Sequence, residues 1–80
     1  MPTLGEQRVR IMFNPSASST VDLIKQQAAR FIDTCAAMAD RTDDPEVGRC
    51  LTMAMAQAED AAMWAVKAAT ADGMTKTKAA

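Results

Sequence analysis

The stretch from Asp44 to Ala71 constrains this chain more than any other. It reads as one long helix opening at Asp44-Pro45, alanine-rich and carrying Ala58-Glu59-Asp60-Ala61-Ala62-Met63-Trp64-Ala65. Standing alone, such a helix would leave Leu51, Trp64 and its methionines in water, so the chain must supply a partner helix. Its apolar character runs nearly all round from Leu51 to Ala58 and again from Ala61 to Ala69. A helix in a two-helix hairpin buries one face, so a second apolar face implies contact with other copies of the chain.

Composition points the same way. Eighty residues make one small domain, and a fold of that size hides only about 60% of the surface its unfolded chain exposes. The apolar residues include many alanines, with one Trp, two Phe, no Tyr and seven Met to fill a core. Small scaffolds offset the entropy of ordering with disulfides, a metal or oligomerisation. Histidine is absent, and Cys35 and Cys50 have no CxxC or Cys/His spacing, so no zinc site is expected; a disulfide between them is conceivable across a helical hairpin, and buried free thiols are the favoured reading. Oligomerisation remains. A net charge of -1 gives no general attraction for DNA, which calls for a strongly basic face. No apolar run approaches a membrane span, and Met1 to Arg10 lacks the apolar centre of a signal peptide. The expectation is a soluble, cytoplasmic protein with no cofactor.

Residues 1 to 18 read as an N-terminal arm: a polar start, the mixed segment Gln7-Arg8-Val9-Arg10-Ile11-Met12-Phe13, and the punctuation Asn14-Pro15-Ser16-Ala17-Ser18. Proline disfavours helix for the residue before it, so Asn14 is expected in an extended or turn conformation. Helix one covers 19–40, with Ser19 as N-cap and Asp22 at N3. Its apolar positions Val21, Ile24, Ala28, Phe31, Cys35 and Met38 are spaced as a heptad seam, a stripe that Ile32 and Ala39 widen, with Lys25, Gln26, Arg30 and Asp33 mostly outside it. Arg41 to Pro45 is the turn, Asp44 capping a helix that has proline at N1. So short a connection folds helix two back antiparallel. Helix two covers 44–72 and ends at the Asp72-Gly73 cap, leaving 73–80 as a frayed tail. One of its stripes, Val47, Leu51, Ala54, Ala58, Ala61, Ala65 and Ala68, is small enough for close helix approach. Another holds Met53, Met63, Trp64 and Lys67.

Several residues invite a chemical reading. Methionine is most often a flexible core filler, and Trp64 in an alanine-rich helix is read as an interface anchor rather than a stacking platform for a base. Glu59 and Asp60 point about 100° apart on a helix and so cannot both face one substrate; one bonds a neighbouring polar group and the other is solvated. Ser16, Ser18 and Ser19 have no histidine to activate them. Gly48 belongs to no phosphate loop and would at most permit close packing. The arm is more suggestive: Arg8, Arg10, Phe13 and Asn14 combine two cations, an aromatic face and an amide, a set suited to gripping phosphates and stacking on a base. From composition alone a solvated arm with Phe13 tucked against a helix is an equal reading. Lys25 and Arg49 add cations in the first turns of the two helices.

Arg8-Val-Arg-Ile-Met-Phe-Asn-Pro-Ser16, then Val21-Asp-Leu-Ile-Lys25, then Leu51-Thr52 and Glu59-Asp-Ala-Ala-Met-Trp64-Ala resemble, in order, the phage anti-CBASS proteins that act as sponges for cyclic oligonucleotide signals. The resemblance spans about sixty of the eighty residues. It implies a helical-hairpin protomer, a compact homohexamer of interlocked dimers, and sequestration of bacterial immune messengers in the host cytoplasm without cleavage. Cyclic dinucleotides such as cyclic GMP-AMP would lie between protomers, with Phe13 stacking on a purine and Lys25 and Arg10 meeting phosphate. Cyclic trinucleotides would take separate sites, for which Asn14, Arg49 and Arg8 are the matching candidates. Phe13 stands where the family often has Tyr, which keeps the stacking face and removes a phenolic hydrogen bond.

The expected architecture is therefore all-α: an arm followed by an antiparallel two-helix hairpin, assembled into a homo-oligomer through Trp64, Met63 and Leu51, without catalytic or metal-binding residues. The rival from another class is a structural adaptor that binds a protein partner through the Met/Trp face.

Overall fold

The computed structural model describes residues 1–15 and 17–79, with side chains described through residue 71 apart from residue 16. Three helices follow one another: α1 (Leu4–Arg8), α2 (Ser19–Ala39) and α3 (Pro45–Ala79). No strand occurs among the described residues. The hairpin formed by α2 and α3 is the expected one. Its turn works as the Asp44-Pro45 pair suggested: Asp44 Oδ1 accepts from the backbone N–H of Glu46 at 2.9 Å and of Val47 at 3.4 Å, while Pro45 begins the helix. At the other end of α2 the cap falls one residue earlier than Ser19. Ser18 is the N-cap and its Oγ accepts from Val21 N at 3.2 Å. Asp22 is consequently not at N3 and instead accepts from Asn14 Nδ2 at 2.9 Å.

Residues 1–18 depart most from the expectation of an arm. Thr3 and Glu6 form a reciprocal capping box, with Glu6 N donating to Thr3 Oγ1 at 3.1 Å and Thr3 N donating to Glu6 Oε1 at 2.9 Å. This device organises the single turn of α1, which packs against α2. Asn14 stands outside any helix, as its proline neighbour requires.

The buried face of α2 is Val21, Lys25, Ala29, Ile32 and Cys35, which keeps Val21 and Cys35 of the heptad seam and Ile32 of its widened stripe but is otherwise rotated from it. Phe31 and Met38, both in that seam, are half exposed at 51% and 50%, whereas Ile32 is wholly buried. The heptad assumed one partner helix, but α2 is covered by α1 as well as by α3; that second partner rotates the buried arc toward Lys25 and Ala29. On α3 the buried positions are Leu51, Met55 and Ala62. Leu51 thus packs in the protomer's own core beside Ile32 and Cys35, with little surface left for the interface role expected of it. Of the small stripe, Ala54 and Ala58 pack against the core, while Val47, Ala61 and Ala68 are exposed. Gly48 permits no close approach, since a Cβ there would meet nothing within 4 Å. Methionine fills the core at Met55 alone among the described side chains; Met12, Met38, Met53 and Met63 are all at least half exposed. Cys35 and Cys50 are free thiols, the first buried and the second, against expectation, exposed.

α3 continues through Gly73 to Ala79, past the expected cap and into the expected tail. One helical glycine costs about 1 kcal/mol relative to alanine, too little to stop a helix whose flanks hold good helix formers. At 35 residues against 21 for α2, α3 projects beyond the hairpin. No helix is long and apolar enough to cross a membrane among the described residues.

Candidate ligand-binding site

The segment after α1 reverses direction at Arg10, which takes a left-handed conformation with φ of 56°. Phe13 N donates to Arg10 O at 2.8 Å to close the turn. Lys25, in the second turn of α2, then reaches underneath: its Nζ donates to Arg10 O at 2.9 Å and also to Phe13 O. Two backbone carbonyls thereby satisfy an ammonium that is only 6% exposed, as a buried charge requires. Burial draws the Lys25 pKa below its ordinary 10.5, and the nearby Arg10 charge adds to that, while Asp22 opposes it. The turn holds the Phe13 ring outward, 57% exposed. Arg10 Cζ lies 5.0 Å and Lys25 Nζ 5.4 Å from its centroid, both within cation–π range.

The opposite wall comes from α3. Glu59, Ala62, Met63, Val66 and Lys67 recur at helical spacing and so share one face; with Arg8, Val9, Arg10, Phe13 and Lys25 they line an open cleft of about 470 Å³. That volume suits a small ligand. Four of the lining residues are cationic and one, Glu59, is anionic, so a chain of net charge -1 concentrates positive potential here. Arg8 Nε donates to Glu59 Oε1 at 2.8 Å, an ion pair tying α1 to α3. Lys67 Nζ sits 4.8 Å from the centre of the Trp64 ring.

The structure therefore brings Arg8, Arg10, Phe13 and Lys25 into one cleft lining; Asn14, beside Phe13 in the chain, and Arg49 are not among the residues that line it. Asn14 is engaged at the head of α2, donating to Ser18 O at 2.8 Å and accepting from Ser18 N at 3.2 Å. Arg49 pairs with Glu46 on the solvent face of α3, and the ten residues separating it from Glu59 correspond to about 15 Å along the helix. Met63 and Trp64 are 65% and 62% exposed, free for the contacts expected of them. Of the two adjacent carboxylates, Glu59 bonds a polar neighbour and Asp60 is exposed, as their angular separation predicted. Sequence reasoning passed over Glu59, Val66 and Lys67 as wall residues. Their common helical face was the available signal, but only the docking of the arm shows which face matters. No cluster of three or more potential metal ligands exists among the described residues.

A family model for the Acb2/Tad1 hairpin domain matches residues 5–70. The chain belongs to that family, the anti-CBASS sponges. The Acb2/Tad1 match begins at Gly5 and ends at Thr70, so it takes in α1 from its second residue, the Arg10 turn, all of α2 and every residue that lines the cleft. No curated protein and no solved structure matches the chain. The Acb2/Tad1 domain is a binding module, and the hairpin seen here is the one its name describes.

Proposed function

We propose that this chain is a phage anti-defence protein that binds and holds cyclic dinucleotide messengers of bacterial CBASS immunity, cyclic GMP-AMP among them, in the host cytoplasm. The observation that carries the proposal is the exposed ring of Phe13, flanked by Arg10 and Lys25, at the mouth of a cleft with four cations on a chain of net charge -1. A purine has a π-face for Phe13 at either orientation of the base, and each phosphodiester supplies a charge for Arg10. Lys25 already gives hydrogen bonds to two carbonyls, so its contribution to phosphate is mainly its charge. In this reading the ligand is released unchanged, and the one carboxylate lining the cleft, Glu59, is engaged by Arg8.

The same reading has the chain act as a homo-oligomer, a hexamer on the family pattern, through Met63 and Trp64. A cyclic trinucleotide site using Asn14, Arg49 and Arg8 would draw Arg49 from a different protomer, given its distance along α3 from the arm. Neither DNA nor membrane is a partner in this reading. The exposure of Met63 and Trp64 also supports the adaptor reading, in which that face binds another protein and nucleotides play no part. Titration calorimetry with a panel of cyclic di- and trinucleotides separates the two. Sub-micromolar binding, recovery of intact ligand after denaturation, and weakening by Phe13→Ala with assembly preserved support the sponge; absence of binding to every member of the panel, with Trp64→Ala alone disabling the protein, favours the adaptor.

A further inference from the structure

The ring of Phe13 and the guanidinium of Arg10 are borne by a turn, and something must fix that turn against the hairpin. α1 is the only helix in the arm and spans five residues; a helix so short has no stability of its own. Its attachment to α2 rests on Gly5. That residue is buried, and a Cβ placed on it would come within 2.1 Å of the Ala29 carbonyl oxygen and 2.8 Å of Ala29 Cα. Only glycine lets the two backbones approach so closely. Gly5 N–H is also one of the donors that a helix start leaves without an intrahelical partner. Asp33, one turn further along α2 than Ala29, accepts it at 2.7 Å.

We infer that Gly5 and Asp33 are positioning residues of the ligand cleft: together they set the register of α1 on α2, and α1 in turn places Arg10 and Phe13. The linkage is continuous. Val9 N bonds to Gly5 O at 3.0 Å and Ile11 N to Glu6 O at 2.9 Å, Val9 enters the core beside Ala29 and Ile32, and the next residue is Arg10 with its left-handed turn. Lys25 fastens the far end of this segment by its two carbonyl contacts. Releasing the near end leaves the segment to the Lys25 contacts, the partly exposed Arg8–Glu59 pair and the Asn14 bonds at the head of α2, so ligand binding must order more of it, at the expense of affinity. The inference rests on the sponge reading for the identity of the ligand, but the attachment itself does not.

The test uses the full chain with Gly5→Ala, Asp33→Ala and Asp33→Asn, the last retaining an oxygen able to accept from Gly5 N–H. Amide hydrogen exchange at Val9, Ile11 and Phe13 reports the attachment without any ligand, and titration with cyclic GMP-AMP reports its consequence. Gly5→Ala and Asp33→Ala are expected to speed exchange at those amides by about tenfold or more while leaving exchange in α2 and α3 and the oligomer's mass unchanged. The same two variants are expected to bind cyclic GMP-AMP about tenfold more weakly, chiefly through faster release, with Asp33→Asn close to the parent. Arm amides that exchange at the parent rate in both variants overturn the inference, as does a loosened arm that binds as tightly as before. Loss of the whole hairpin's protection overturns it as well, since the pair would then be a general stability element. A parent protein that binds no cyclic nucleotide sinks the sponge reading and with it the cleft role, while the exchange data still decide whether Gly5 and Asp33 hold the arm.

Discussion

Lys25 occupies the position where a cation is hardest to keep, 6% exposed between the arm and α2, and it is tolerable there because two main-chain carbonyls meet it. Sequence placed it on the outside of helix one as a phosphate contact. The residue type was informative, but its burial was hidden because a chain fold-back at Arg10, with no proline or glycine at that residue, was needed to bring acceptors over it. Replacing it by Met takes the charged donor from Phe13 O and from Arg10 O, which keeps the Phe13 N–H, and a loss of about 1.5–3 kcal/mol is expected on the usual worth of hydrogen bonds to a charged group. Denaturant unfolding followed by circular dichroism measures it, and an unchanged midpoint would show that the ammonium is dispensable. Glu59 is the opposite case. Its pair with Arg8 leaves 29% and 38% of the two side chains exposed, and ion pairs so placed contribute about 0–1 kcal/mol. Glu59→Gln is therefore expected to alter stability by less than about 1 kcal/mol while releasing Arg8 and removing the one anion lining the cleft. Calorimetry should then record tighter cyclic dinucleotide binding than in the parent; weaker binding would mean that Glu59 contacts the ligand favourably.

At the scale of elements, the α3 start and the hairpin turn were legible because they depend on contiguous residues: Asp44, Pro45 and the N–H groups that follow. The Thr3 to Glu6 capping box was equally local, and its pattern was there to be read; it was missed because five residues make too short a helix to show periodicity. The buried face of α2 was not legible in the same way. Putting Phe31 at the centre of the stripe and Ile32 at its margin followed from counting one partner helix, and the second partner, α1, is recruited by a glycine contact with no periodic signature. Gly48 offers a clean test of local against tertiary effects. It lies inside α3, lacks a positive φ, and has open space where a Cβ would go. Gly48→Ala should stabilise the fold by about 0.5–1 kcal/mol, through lower backbone entropy in the unfolded chain and better helix propensity. For a domain this small that corresponds to a rise of about 2–8 °C in Tm, readable by thermal melts. A fall would reveal a contact at Gly48 made only with another copy.

The hairpin leaves several large apolar side chains in water. Leu23, Phe31, Met38, Met53, Met63 and Trp64 are each at least half exposed, and they lie on both helices of the hairpin, not on one rim. The core beneath them is modest: Ile32 is the single large side chain fully buried, joined by Leu51, Met55, Val9 and smaller groups. Burying aromatic and methionine surface between copies would add the stabilisation that this core does not reach, and Trp64 is the largest single contributor available. Trp64→Ala is expected to shift the protein toward smaller species at micromolar concentration and to lower its melting temperature at a given protein concentration, as mass action requires when folding and association are linked. Light scattering across a dilution series reads the first, and thermal melts read the second. The cleft lies on the arm side, with Lys67 at its edge resting against the Trp64 ring, so loss of the tryptophan should also loosen that cation and weaken nucleotide binding beyond what dissociation explains. A parent chain that scatters as a monomer at every concentration, with Trp64→Ala indistinguishable from it, would show that the exposed helix faces are not an interface between copies.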